Sequence, residues 1–124
     1  MQAAAQESEA TARVRDLSFA LDQLLAGPLA TRIDAARIVA AGHSYGANTT
    51  LLAAGAEVER DGHPLNLRDA RIKAAIVISA PPFYGETSPQ KVLAGIRVPS
   101  LHITATEDII RVPGYYSPAT DRVA

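Results

Sequence analysis

The chain has 124 residues, the size of one modest domain, of which 48% are hydrophobic and 20% are charged. This composition is too apolar for a disordered chain and too evenly charged for a membrane span, so it predicts one packed globular unit. The formal net charge is -1 and no run of Lys or Arg is present, which argues against nucleic acid or anionic lipid as a partner. The lack of Cys excludes disulfides, zinc–thiolate sites and a Cys nucleophile, and it leaves the compartment undecided.

The first half of the chain predicts a helix, a strand and a second helix. A helix over 9–26 is indicated by apolar residues at spacings of three and four: Val14, Leu17, Leu21 and Leu24. The continuous apolar run 37–41 is typical of a strand that is covered on both faces. Small and helix-forming residues over 47–58 then predict a helix that packs closely on the sheet.

The second half repeats this alternation. The polar, turn-rich stretch 59–69 predicts a surface loop, and 71–80 predicts a second buried strand. A short helix over 88–95 and a third strand over 98–105 follow. Two successive strand–helix–strand units predict an α/β fold, a three-layer αβα arrangement around a mostly parallel sheet with right-handed crossovers.

A nucleophile motif lies between the first predicted strand and the helix after it, Gly42-His43-Ser44-Tyr45-Gly46. A tight turn at this place projects the Ser44 hydroxyl above the sheet, strains the backbone at Ser44 and calls for very small residues two positions before and after it. The Tyr45 backbone N–H at the helix start would then face the oxyanion of an acyl transfer. The competing interpretation is an ordinary Gly-x-Ser-x-Gly turn, but the strand before and the helix after favour the nucleophile. No phosphate loop or dinucleotide motif fits these glycines.

A candidate acid follows the third predicted strand. Thr106-Glu107-Asp108 comes at the carboxyl end of that strand, where functional side chains of such sheets gather. Either carboxylate could orient a histidine, and the alternative is a solvated acidic turn. The chain order, serine before acid, is the order that this fold requires.

These segments resemble the α/β-hydrolase superfamily, in particular its dienelactone-hydrolase-like and polyester-hydrolase-like acyl esterases. The resemblance covers nearly the whole chain and rests on three stretches: 16–22, 37–46 and 99–108. It implies the central to C-terminal part of the α/β-hydrolase fold, about strands five to seven. It also implies that Ser44 is the nucleophile and that Asp108, more than Glu107, is the triad acid.

The family pattern also requires a histidine after its eighth strand, and no His follows His102. His43 should point away from the nucleophile, His63 belongs to a predicted loop and His102 to a predicted strand, so each is interpreted as structural. The family's second oxyanion donor comes from a loop after its third strand, which precedes the strands matched here. We therefore expect residues 1–124 to be a partial hydrolase domain that is inactive alone.

Apolar and aromatic residues after the strand ends give the only substrate indications. Phe83, Tyr84 and Ile109 would rim the Ser44 site and suit an acyl or aryl ester, or they would pack beneath their loops. No metal-ligand spacing is present, so neither a metal nor another cofactor is expected.

The sequence is consistent with two functions. The first is a serine hydrolase that cleaves small carboxylic esters through an acyl-Ser44 intermediate, with Asp108 orienting a histidine outside this chain. The alternative is a catalytically inactive α/β-hydrolase-like protein that binds a ligand in the cleft or self-associates through exposed sheet edges.

Overall fold

A computed structural model describes residues 2–60, 62–83 and 88–108 of the chain. The elements, in order, are α1 (Gln2–Ala26), a short 3₁₀ helix (Ala30–Arg32), β1 (Ile38–His43), α2 (Tyr45–Ala54), β2 (Val58–Arg60), β3 (His63–Leu65), β4 (Ile72–Ile78), α3 (Pro89–Leu93) and β5 (Ser100–Ile103). None of the helices in these ranges combines the length and apolar character that a membrane crossing requires.

The main sheet contains three parallel strands in the order β1-β4-β5. Parallel neighbours need a crossover between them, and here α2 connects β1 to β4 while α3 lies between β4 and β5. The predicted α/β class and the parallel sheet are therefore confirmed. All three carboxyl ends lie at one edge of the sheet, since His43 pairs with Ile78 and Ile78 pairs with Ile103.

One face of the sheet forms the core with α2. This helix contacts both β1 and β4, and the strand residues on this side, Ala40, Ala75 and Val77, are buried. Small side chains at Ala40 and Ala75 let the helix approach the sheet closely, while Leu51 and Leu52 fill the space from the helix side. The prediction of a helix that packs tightly on the sheet is confirmed.

The opposite face of the sheet is open. Val39 on β1 is 52% exposed, and Leu101 and Ile103 on β5 are 56% and 45% exposed. The prediction that the first strand is covered on both faces is wrong for β1, where Val39 and Ala41 are exposed. Within these ranges helix covers one side of the sheet, and a third layer is not seen.

The stretch predicted as a loop contains an antiparallel hairpin of β2 and β3. Val58 pairs with Leu65, and Val58 is fully buried while Leu65 packs against the core. The helix α2 ends at Ala54, four residues before its predicted end. The hairpin therefore begins at Val58, which was predicted to be helical. Gly55, with φ of 122°, stops the helix by donating its N–H back to the carbonyls of Leu51 and Leu52.

An ion-pair network fastens α1 to the start of β4. Arg71 binds Asp22 of α1 and Asp69 through its guanidinium, and it also donates to the Ser18 carbonyl at 3.1 Å. On the same helix Val14 is buried, and α1 packs against α2. The helix extends further towards the N-terminus than the apolar stripe predicted.

Candidate functional site

Ser44 is the single residue between the end of β1 and the start of α2. Its backbone has φ of 56° and ψ of -120°, a conformation that favours glycine and costs a serine roughly 1–3 kcal/mol. The conformation is fixed from both sides. The Ser44 N–H donates to the Ile78 carbonyl at 3.0 Å, and the Ser44 carbonyl accepts from Ala47 at 2.9 Å and from Asn48 at 3.3 Å. The strained strand–turn–helix geometry expected around Ser44 is therefore present.

The two glycines of the motif differ in what the structure asks of them. A Cβ atom at Gly42 would lie 2.7 Å from the Ala47 nitrogen and closer still to the Gly46 carbonyl, so only glycine fits there. A Cβ atom at Gly46 would meet nothing within 4 Å. The expectation of a steric need for a tiny residue is confirmed at Gly42 and wrong at Gly46. Gly46 contributes to the close packing through its backbone carbonyl, which lies next to Gly42. Its lack of a side chain is not required for this packing.

The Ser44 hydroxyl makes no capping hydrogen bond to α2, although Ser44 occupies the N-cap position. Tyr45 is the first residue of a ten-residue helix. The N–H groups in the first turn of a helix point out of its amino end, where the helix dipole favours negative charge. An oxygen that becomes negative beside Ser44 would therefore lie in a favourable field.

The Tyr45 side chain lies close to α1. Burial raises the pKa of the Tyr45 phenol, and the negative charge of Glu9 raises it further while Arg13 opposes this. Glu9 and Arg13 form an ion pair with each other on α1. The phenol is part of the contact between α1 and the helix that follows Ser44.

Asp108 is held at the end of the acid-bearing strand. β5 ends at Ile103, and the next residue, Thr104, donates its hydroxyl to Asp108 Oδ2 at 3.0 Å. The Asp108 N–H donates to the Ala105 carbonyl at 3.2 Å, which closes a turn over 105–108. Asp108 is partly buried, whereas Glu107 is exposed. Of the two candidate acids, Asp108 is the one with a defined orientation in this turn.

The three histidines lie at different places. His43 is exposed at the last position of β1, and His63 is exposed on β3 of the hairpin. His102 lies inside β5 beside Val77, with Nε2 and Ser100 Oγ 3.1 Å apart. His102 Nδ1 is buried and lacks a hydrogen-bond partner among the described residues. The hydrogen bonds given above for Ser44 and Asp108 are made with residues other than these three histidines.

Of the three predicted substrate-binding residues, the structure describes Phe83. Phe83 is only 9% exposed and belongs to the hydrophobic core, so the interpretation that it packs beneath its loop is the one the structure favours. Tyr84 and Ile109 lie outside the described residues.

Two features near Ser44 escaped the sequence interpretation. Ser79, just after β4, has φ of 52°, and no glycine or asparagine marks that conformation in the sequence. Asn48 on α2 is buried, and its Oδ1 has no hydrogen-bond partner among the described residues. A lone amide in an otherwise apolar and small-residue helix face was the available signal for Asn48.

The described residues place no group of three or more His, Asp or Glu where it could hold a metal ion. Comparison of the chain with protein-family models, with curated proteins and with solved structures finds no significant match to any of them. The hydrolase resemblance therefore stays a prediction that rests on the residues and on the geometry around Ser44.

Proposed function

We propose that Ser44 is the nucleophile of a serine hydrolase that cleaves small carboxylic esters. The backbone of Ser44 carries this proposal, with φ of 56° and ψ of -120° between a strand end and a ten-residue helix. Strain of this kind persists where surrounding contacts over-determine it, and it concentrates at functional sites. The close packing of Gly42 against the start of α2 supports it, because this packing places the helix start directly above the strand end.

The chemistry follows from this placement. The Ser44 oxygen attacks the ester carbonyl carbon while a base takes its proton, and the carbonyl oxygen becomes negative beside the Tyr45 N–H. The tetrahedral intermediate then expels the alcohol, which receives the proton from the base. Water repeats the sequence on the acyl-Ser44 ester and releases the acid.

Asp108 is proposed to orient the base. One carboxylate oxygen, Oδ2, accepts the Thr104 hydroxyl, so the carboxyl group has a fixed position at the sheet edge that Ser44 shares. The base is assigned to a histidine other than His43, His63 and His102. Removing the base of such a site lowers turnover by several orders of magnitude, so the 124-residue chain alone is expected to be a poor catalyst.

The proposal includes the finer fold assignment. The open face that carries Val39, Leu101 and Ile103 is the face that a three-layer αβα hydrolase covers with further helices. Parallel sheets with one apolar face in water are uncommon, and the exposed side chains support a domain with a second helical layer on that side.

The test is reaction of the purified chain with an alkyl fluorophosphonate, with and without added imidazole as a soluble base. The expected result is one adduct per chain, formed at least about tenfold faster with imidazole. Ser44→Ala should abolish the adduct. Ser88→Ala, which removes the serine before α3, is the matched control and should react as the parent chain does.

The open sheet face also favours a second candidate function, a non-catalytic protein that assembles with copies of itself. Exposed apolar strands such as β1 and β5 promote this kind of association. Light scattering after size exclusion separates the two candidates when it is combined with the phosphonate reaction. Oligomers that form while Ser44 stays inert would support assembly, and a reactive monomer would support hydrolysis.

A further inference from the structure

Among the described residues, two that are not glycine have a positive φ, Ser44 at 56° and Ser79 at 52°. They occupy equivalent places, because each is the first residue after its strand and the last residues of those strands, His43 and Ile78, are paired. Neighbouring strands in a sheet are about 4.8 Å apart, so the two serines are adjacent at the carboxyl edge.

The peptide bond between Ile78 and Ser79, at the end of β4, connects the residue that follows β1 with the last residue of β5. Its carbonyl accepts the Ser44 N–H at 3.0 Å, and its N–H donates to the Ile103 carbonyl at 2.8 Å. Ile103 is followed by Thr104, whose hydroxyl holds Asp108. A continuous series of hydrogen bonds and covalent links therefore runs from the backbone of the proposed nucleophile to the proposed acid.

We propose that Ser79 is a positioning residue, whose left-handed backbone holds this peptide in the orientation that sets Ser44 relative to Asp108. The conformation turns the chain out of the sheet immediately after the peptide, so that Ala80 enters the core and Pro81 is buried. A residue that leaves the left-handed region would either rotate the peptide or pull Ala80 out of the core. The proposed role belongs to the backbone of Ser79, so the test includes a variant that lacks the hydroxyl. This inference rests on the proposed function for its catalytic meaning.

The test compares three substitutions at one position. Ser79→Gly favours the left-handed conformation, Ser79→Ala keeps a Cβ atom without the hydroxyl, and Ser79→Val introduces a β-branched side chain that is an outlier at positive φ. Ala41→Val is the matched control, since it adds bulk to an exposed position of β1 in the same sheet. For each protein we would measure amide hydrogen exchange at Ser44 by NMR, and the rate of the phosphonate reaction with imidazole.

Ser79→Val should speed exchange of the Ser44 amide at least about tenfold and slow the phosphonate reaction by a similar factor, because the Ile78 carbonyl moves away. The glycine and alanine variants and Ala41→Val should stay within about twofold of the parent chain. Unchanged exchange at Ser44 in a folded Ser79→Val protein would overturn the inference.

If the valine variant does not fold, thermal melting of the other two decides. Ser79→Gly should melt above Ser79→Ala, because glycine adopts the left-handed conformation without strain. The reverse order would contradict the inference. Exchange at Ser44 does not require catalysis, so a phosphonate-inert chain would count against the proposed function while the exchange result still decides the role of Ser79.

Discussion

The helices α2 and α3 both begin directly after a serine, and the two serines are used differently. Ser88 has an extended backbone with φ of -124°, and its hydroxyl accepts the Lys91 N–H of α3 at 3.4 Å. Ser44 has φ of 56° and makes no such bond to α2. Ser88 is a helix cap, a role that typically contributes about 1 kcal/mol.

The comparison shows that the fold loses stability at Ser44. The residue is strained, and it does not stabilise its own helix through its hydroxyl. Ser44 is held in place by Gly42 packing and by the hydrogen bond to Ile78. A serine that is costly to its helix and tightly fixed by its neighbours is more readily explained by a role in chemistry than by a role in stability.

The largest effect should come from removing the close packing at the start of α2. Gly42→Ala places a methyl group against the backbone of Gly46 and Ala47, neither of which can move aside cheaply. We expect a loss of about 3 kcal/mol or more in the free energy of unfolding, measured by urea denaturation. A loss below about 1 kcal/mol would show that the helix start is not packed against the strand end as described.

Acid should weaken the attachment of α1, the helix that packs on α2. Hydrogen bonds from the Arg71 side chain lower the pKa of Asp69 from 3.8 to about 2, against the opposing effect of burial. Because the pKa is lower in the folded chain, the stabilisation is present above about pH 4 and is lost as the pH falls towards 2. It amounts to about 1–2 kcal/mol, given that Arg71 is partly exposed. Unfolding measured between pH 5 and 2 should show this loss, and Asp69→Asn should remove the corresponding part of the pH dependence.

Substitution of alanine for Ser88 and for Ser44 should affect the free energy of unfolding differently. Ser88→Ala should lower the free energy of unfolding by up to about 1 kcal/mol, because the Lys91 N–H loses its acceptor. Ser44→Ala should change it by less than about 0.5 kcal/mol, since no capping bond is lost. Calorimetric melting of both variants tests this. A larger loss at Ser44 than at Ser88 would mean that the Ser44 hydroxyl is structural.

No loss of stability is expected at the second glycine of the motif. Gly46→Ala adds a methyl group to open space in the first turn of α2. Because alanine favours helix over glycine, the variant should be as stable as the parent chain or gain up to about 1 kcal/mol. Destabilisation comparable with Gly42→Ala would contradict the distinction between the two glycines.

Local patterns predicted the order of the main elements. The apolar run 37–41 predicted a strand, and the small residues after Gly46 predicted a helix, because both signals depend on neighbours in sequence. The β2–β3 hairpin escaped because its few apolar residues, Val58 and Leu65, lie among polar ones. Its pairing also depends on where Gly55 ends α2.

The site was predictable only where the sequence itself fixes the geometry. Gly42 and Ser44 are constrained by the tight turn from β1 to α2, so the motif was enough to predict their roles in the fold. The burial of Phe83 and the left-handed conformation of Ser79 depend on contacts between distant segments, which no local pattern encodes. The exposure of one sheet face likewise depends on which other segments pack against the sheet. The residues of β1 and β5 do not determine this by themselves.

The most direct test of the central claim is to locate the phosphonate adduct among the seven serines of the chain. After reaction with imidazole present, proteolysis and tandem mass spectrometry should find the adduct on Ser44, with Ser88 and Ser79 unmodified. An adduct distributed over several serines, or one absent from Ser44, would contradict its assignment as the nucleophile.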